Sequence, residues 1–199
     1  MNDTELIGRA LGGDEGAQRA LYEANYEASF RLAYVLLQDV CDAEEVVQDA
    51  FVYVLRNLHR YDPERGPFWA WLRVVLVSRC RNKRRRQRLP QVSLEVLDAA
   101  GQVPADPTPA SDPAGVLERL GTRQVVWRAL REVSPGARDA LVLRFYEGLS
   151  YAEIAEALGC SADAARARVA HGKTQLRRLL GASEEVVRER GIARIAKAG

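Results

Sequence analysis

The sequence predicts an all-α protein, two small helical domains joined by a flexible linker, and three observations carry that expectation. Apolar residues recur at helical spacing in both halves of the chain, and no stretch alternates with the period of a strand between turn signals. Residues 101–115, GQVPADPTPASDPAG, hold four of the eight prolines and no aromatic residue. Such a segment cannot continue a helix and has too little apolar surface to offset the entropy of ordering. Residues 150–180 read as a helix, a glycine turn and a second helix. The expected boundaries are 1–89 and 116–181 for the domains, 90–115 for the linker and 182–199 for a C-terminal tail.

In the first half, residues 14–37 read as one or two helices carrying Leu21, Tyr22, Phe30, Leu32, Tyr34 and Leu36. Residues 43–58, AEEVVQDAFVYVLRNL, place Val46, Val47, Ala50, Phe51, Val54, Leu55 and Leu58 on one face. Glu45, Gln48, Asp49, Val52 and Arg56 fall on the other face. Asp42 is the expected N-cap, and acids in the first turn suit the helix dipole. The next stretch, PFWAWLRVVLVSRCRNKRRRQR, runs from aromatic to basic. Phe68, Trp71, Leu72 and Val75 share a face and read as core, while Trp69 points elsewhere and is the aromatic best placed for exposure. Residues 73–88 carry eight basic residues and no acid, whereas residues 89–117 carry four acids and no base. Arg81, Arg84, Arg85 and Arg88 line one helical face and Arg79, Lys83 and Arg86 another. Charge around so much of the circumference argues against burial and for contact with phosphates. Neutralising about five phosphates would give a log–log salt slope of about −4 to −5.

The second half is more sharply patterned. Ser134-Pro135-Gly136 opens a helix with Leu141 and Phe145 one turn apart, preceded by residues 116–133 with Leu117, Leu120, Trp127 and Leu130, where Trp127 reads as core. Ser150 and Glu153 form a capping box, Ile154, Ala155 and Leu158 make an inner face, and Gly159 stops the helix. Ser161 then caps a further helix whose Ala165, Val169, Leu176 and Leu180 point one way. Asp163, Arg166, Ala167, Ala170, Lys173 and Arg177 point the other way, with Arg168 on the flank. A plain helical hairpin with a solvated basic face shares some of these features. The capped, glycine-turned geometry favours a helix-turn-helix, in which small and basic residues allow close entry into the major groove.

Composition narrows the function classes. The 199 residues are 47% apolar and 28% charged with a net charge of +2, so the overall balance points to no partner by itself. The N-terminus has no apolar signal region, and no apolar run reaches the length of a membrane span, so a cytoplasmic protein with no membrane contact of its own is expected. Cys41, Cys80 and Cys160 form no CxxC pair and there are only two histidines, so neither a metal nor a cofactor is expected. The carboxylates have no His, Ser or metal-ligand cluster beside them, and no GxGxxG or Walker loop occurs, which argues against an enzyme.

Taken together, DAEEVVQDAFVYVL, YDPERGPFWAWL with the arginine run after it, and LREVSPGARDALVLRFYEGLSYAEIAEALGCS resemble regions 2.2, 2.3–2.4 and 4 of the ECF (extracytoplasmic-function) sigma factors of bacteria. No third region intervenes, and the resemblance covers residues 15–88 and 117–180. It implies a sigma region 2 bundle and a region 4 helix-turn-helix, with core RNA polymerase, double-stranded and locally melted promoter DNA, and an anti-sigma factor as partners. The outward face with Glu45, Gln48, Asp49, Val52 and Arg56 would dock on the clamp helices of the polymerase's largest subunit. The loop from Tyr61 to Pro67 would receive an unstacked base. Tyr61, Asp62, Arg65, Trp69, Arg79, Arg81, Lys83, Arg84, Arg85 and Arg88 would meet the minus-ten element. Ser161, Asp163, Arg166, Ala167, Arg168, Ala170 and Lys173 would meet the minus-thirty-five element. The chain departs from the family pattern at Ser78, usually Asn, at Asn82, usually Asp, and at Ala164 to Arg168, where Thr and Ser hydroxyls are commoner. The tail, with Val186, Val187, Ile192 and Ile195, lies outside the resemblance and reads as a frayed end rather than a regulatory helix. The competing reading is a helix-turn-helix transcription regulator whose N-terminal half senses a ligand or dimerises.

Overall fold

The computed structural model describes residues 3–88 and 125–180, and the chain divides into two compact units, Met1–Pro104 and Ala105–Gly199. Every regular element among the described residues is helical. The expected linker at 90–115, the expected tail at 182–199, and Leu117 and Leu120 lie outside the described residues.

The first unit contains α1 (Asp3–Leu11), α2 (Glu15–Leu37), α3 (Val40–Arg56), two short 3-10 turns (Leu58–Arg60 and Pro63–Arg65) and α4 (Phe68–Arg88). Helix α1 adds to the elements expected from sequence. Its nine residues are too short for a periodicity window, yet Leu6, Ile7 and Ala10 are buried and the helix packs on α2. Residues 14–37 resolve into one helix: the Asp14 carboxylate accepts from the Ala17 N–H at 3.1 Å and also pairs with Arg9 at 2.8 Å. Gln38 ends α2 in the left-handed conformation, φ 59°. The N-cap of α3 is Asp39 rather than the expected Asp42. Asp39 has extended backbone and accepts from the Asp42 N–H at 2.8 Å, which places Asp42 inside the first turn with its carboxylate turned to α4. The core face of α3 is as read, with Val46, Val47, Ala50, Phe51 and Val54 buried. Helices α2, α3 and α4 pack on one another around Leu21, Leu32, Leu36, Phe68, Leu72 and Leu76, all fully buried. Burial of each such side chain contributes about 1.5–3 kcal/mol before conformational entropy is counted.

The second unit begins among the described residues with the helical stretch 125–132, here α5, followed by α6 (Pro135–Phe145), α7 (Tyr151–Leu158) and α8 (Ala162–Leu180). Trp127 in α5 is half-buried. Polar side chains join the helix ends. Arg138 is buried, and its Nη2 donates to the carbonyls of Arg131 at 2.6 Å and Val133 at 3.3 Å, which satisfies the end of α5. Gln175 of α8 accepts from the Ser134 N–H at 3.0 Å at the start of α6. Helices α6 and α8 approach so closely at Gly172 that a Cβ there would lie 2.8 Å from the Leu141 side chain and 3.1 Å from the Ala137 carbonyl.

Candidate nucleic-acid and polymerase interfaces

The turn between α7 and α8 is built by its caps. Ser150 Oγ accepts from the Glu153 N–H at 3.3 Å, and Glu153 Oε2 accepts from the Ser150 N–H at 2.8 Å. Gly159 takes up the left-handed conformation, φ 59°, which a side chain would strain. Ser161 Oγ accepts from the Ala164 N–H at 3.1 Å and starts α8 two residues beyond the glycine. Three residues therefore redirect the chain, and at the start of each helix a serine cap satisfies one of the free N–H groups.

Helix α8 divides by face as its sequence predicts. Ala165, Val169, Leu176 and Leu180 are buried, whereas Ser161, Asp163, Arg166, Ala167, Ala170 and Arg177 are exposed. Two predicted contacts are less free than the others. Arg168 is half-buried with Nη1 3.5 Å from Cys160 Sγ, and Lys173 is half-buried with Nζ 5.2 Å from the centre of the Phe145 ring. Arg166 pairs with Asp163 at 3.4 Å and lies over the Tyr151 ring. The exposed centre of the helix thus offers one guanidinium, one carboxylate and two methyl groups, a profile that lets a backbone approach base edges closely.

In the first unit the predicted polymerase face is continuous. Glu45, Gln48, Asp49, Val52 and Arg56 are all exposed along α3, and Val52 is 49% accessible among polar neighbours. The exposed valine, flanked on the helix by Gln48, Asp49 and Arg56, offers a partner a small apolar contact within a mixed polar rim.

The basic run on α4, expected from its charge to avoid burial, is not uniform in its surroundings. Arg79 lies over the Tyr53 ring of α3 at 4.9 Å, and Arg84 Nη1 donates to the Leu36 carbonyl at the end of α2 at 3.2 Å. Lys83 bridges Glu45 at 2.5 Å and Asp42 at 3.2 Å, while Gln87 donates to Asp42 at 2.6 Å. Burial pushes the Lys83 ammonium down, but hydrogen bonds to Glu45 and Asp42 outweigh it and hold the group above the usual lysine range. Arg73 is buried. Arg81, Arg85 and Arg86 are exposed, and Arg88 closes the helix. The physical reason is register: residues 79 and 83 turn toward α3 and residue 84 toward the end of α2, so their charges find partners there.

The aromatic cluster also sorts itself. Phe68 is fully buried, Trp71 is half-buried, and Tyr61 packs on both at 5.8 and 5.9 Å while its hydroxyl donates to the Gly66 carbonyl at 3.0 Å. Tyr61 therefore holds the Tyr61–Pro67 loop closed on itself. Asp62 accepts from the Glu64 N–H at 3.0 Å, Arg65 is exposed, and Trp69, the aromatic best placed for exposure, is half-buried. Sequence reasoning missed Tyr53 and Tyr151, the platforms for Arg79 and Arg166, and Gly172. Only Gly172 left a signal, a glycine inside an otherwise unbroken helical pattern.

Residues 21–89 match Sigma-70 region 2, and residues 123–176 match Sigma-70, region 4. The ECF RNA polymerase sigma factor SigE of Mycolicibacterium smegmatis is 34% identical over 83% of this chain, which spans 63% of that protein's length. The RNA polymerase sigma factor CnrH of Cupriavidus metallidurans is 34% identical over 92% of this chain and 96% of its own. The chain belongs to the ECF RNA polymerase sigma factors. A solved structure of CnrH in complex with the cytosolic domain of CnrY has a TM-score of 0.60 at 26% identity, covering 90% of this chain and 97% of that one. This sigma factor accordingly acts in transcription initiation, binding core RNA polymerase and directing it to promoter DNA. The competing reading, a free-standing regulator, is set aside. No described helix of the sigma factor is long and apolar enough to cross a membrane.

Proposed function

We propose that the sigma factor divides its work among three surfaces, with no catalytic step of its own and in the cytoplasm. The exposed α3 stripe of Glu45, Gln48, Asp49, Val52 and Arg56 docks on core RNA polymerase. The outward arginines of α4, Arg81, Arg85 and Arg86, with Arg88 beyond them, hold the backbone of the minus-ten element as it melts. Arg79, Lys83 and Arg84 support α4 from behind. The Tyr61–Pro67 loop and Trp69 border the unstacked base, with Asp62 and Arg65 at the loop's exposed edge. The α8 face of Ser161, Asp163, Arg166, Ala167 and Ala170 enters the minus-thirty-five duplex, with Arg168 and Lys173 on its flanks. The observation that carries this reading is that α3 exposes Glu45, Gln48, Asp49 and Val52 while α4 exposes Arg81, Arg85 and Arg86, the two helices meeting at the Lys83–Glu45 ion pair. Opposite charge on adjacent helices of one small bundle suits two different partners held at once.

A regulatory polypeptide belongs to the same reading. CnrH has been solved with the cytosolic domain of CnrY, and an anti-sigma factor covering the polymerase-facing stripe would silence this protein without altering its fold. Run-off transcription with purified core polymerase, with and without the protein, tests the whole. Promoter-dependent transcripts are expected only with it. Substituting Glu45, Gln48 and Asp49 together is expected to weaken core binding at least tenfold, a loss of about 1.4 kcal/mol. Unchanged core binding would place the docking surface elsewhere.

A further inference from the structure

We propose that Tyr151, the first residue of α7, is a positioning residue that presents the Arg166 guanidinium to the DNA. The inference rests on the reading of α8 as the helix that enters the duplex. Arg166 projects from the exposed face of α8, where an unrestrained side chain would have to be ordered on contact. Instead its Cζ lies 5.2 Å from the centre of the Tyr151 ring, and its Nη1 lies 3.4 Å from Asp163 Oδ1. A guanidinium within about 6 Å of an aromatic centroid is attracted by the ring's quadrupole.

The ring is itself held. Arg144 of α6 also lies over it at 5.0 Å, and Nη1 of the same arginine donates to the Leu149 carbonyl at 2.8 Å, bracing the turn into α7. The capping box at Ser150 and Glu153 fixes the backbone immediately before the tyrosine. The Tyr151 ring therefore contacts a guanidinium of α6 and a guanidinium of α8. An arginine held at two points loses less freedom when it binds a planar acceptor edge, and its direction is set before contact.

The test uses holoenzyme assembled from core polymerase and the full chain. Its probe is a pool of duplexes enriched from randomised DNA by the wild-type holoenzyme, with the unselected pool as control. Tyr151→Leu is expected to weaken binding to the selected pool by about two- to fivefold and to leave the unselected pool unchanged. Tyr151→Phe and Tyr151→Trp keep a ring and are expected to bind as the wild type does. Tyr151→Leu combined with Arg166→Ala is expected to bind no more weakly than Arg166→Ala alone. Urea unfolding of each variant shows which are folded, and the two aromatic variants carry the test if the leucine variant is not. Additive losses, or a phenylalanine variant as weak as the leucine one, would overturn the proposal; the latter would assign the effect to the hydroxyl. An Arg166→Ala variant that binds normally would bring down the reading of α8 as well. If Arg166→Ala weakens binding and Tyr151→Leu does not, the positioning role alone falls.

Discussion

At Gly172 the distance between two helices depends on one missing methyl group. Helix α8 crosses α6 so closely there that an added Cβ would meet Cγ and Cδ1 of Leu141 at 2.8 Å and the Ala137 carbonyl at 3.1 Å. Alanine is the better helix former by about 1 kcal/mol, but overpacking a close helix contact costs about 1–3 kcal/mol, and neither a backbone carbonyl nor a side-chain branch point can step aside cheaply. Gly172→Ala is therefore expected to lower the stability of the second unit by up to about 2 kcal/mol, read as a lower urea midpoint at unchanged slope. An unchanged midpoint would mean that α8 can shift without loss. Because the same helix carries Arg166, any shift that relieves the clash also displaces the proposed reading face.

The helix α4 shows how one element serves two demands. Its first turns are core, with Phe68, Leu72, Leu76 and Val77 fully buried. Its last turns carry charge on both sides, and the side facing α2 and α3 is fastened by Arg79 on Tyr53, Lys83 on Glu45 and Asp42, and Arg84 on the Leu36 carbonyl. A helix end proposed to hold a polyanion has to stay in water and so cannot be fastened by apolar packing alone; ion pairs and a stacked guanidinium hold it there. The Lys83 clasp carries a pH signature. Its ammonium is held above the usual lysine value, so its stabilisation is complete below about pH 10.4, the unfolded value, and is lost as pH rises through the folded value. Lys83→Met is expected to cost about 1 kcal/mol at neutral pH. Urea titrations of both proteins at rising pH should show the difference constant to about pH 10 and shrinking above it. A difference that persists undiminished at higher pH would show that packing of the lysine stem, not its charge, fastens the helix.

For the whole molecule, a net charge of +2 hides a strong local asymmetry. The basic run alone suggested about five phosphate contacts and a salt slope of about −4 to −5. With Arg79, Lys83 and Arg84 engaged inside the bundle, the three exposed arginines Arg81, Arg85 and Arg86 account for a slope of about −2 to −3. Replacing these three by alanine in the full chain is expected to flatten the slope for forked promoter DNA by that amount, measured with holoenzyme over a salt series. Replacing Arg79, Lys83 and Arg84 should instead lower stability and leave the slope nearly unchanged. The reverse pattern would show that DNA binding releases the clasped residues.

Much of this was legible before any coordinates. Helical periodicity marked the core faces of α3 and α8 because burial depends on spacing that the chain carries in one dimension. The capping box at Ser150, the stop at Gly159 and the cap at Ser161 were legible because each is satisfied within three residues. Helix α1 and the Asp39 cap were not, the first for want of length and the second because Asp39 and Asp42 compete for one role from neighbouring positions. By itself the sequence determined the all-helical class, the helix-turn-helix and the outward faces on which the proposed contacts lie, since all of these follow from local chemistry. Tertiary structure alone decided which of those residues are engaged. Lys83 and Glu45 lie 38 positions apart, Arg84 and Leu36 lie 48 apart, and only the packing of α4 on α2 and α3 brings each pair within hydrogen-bond reach.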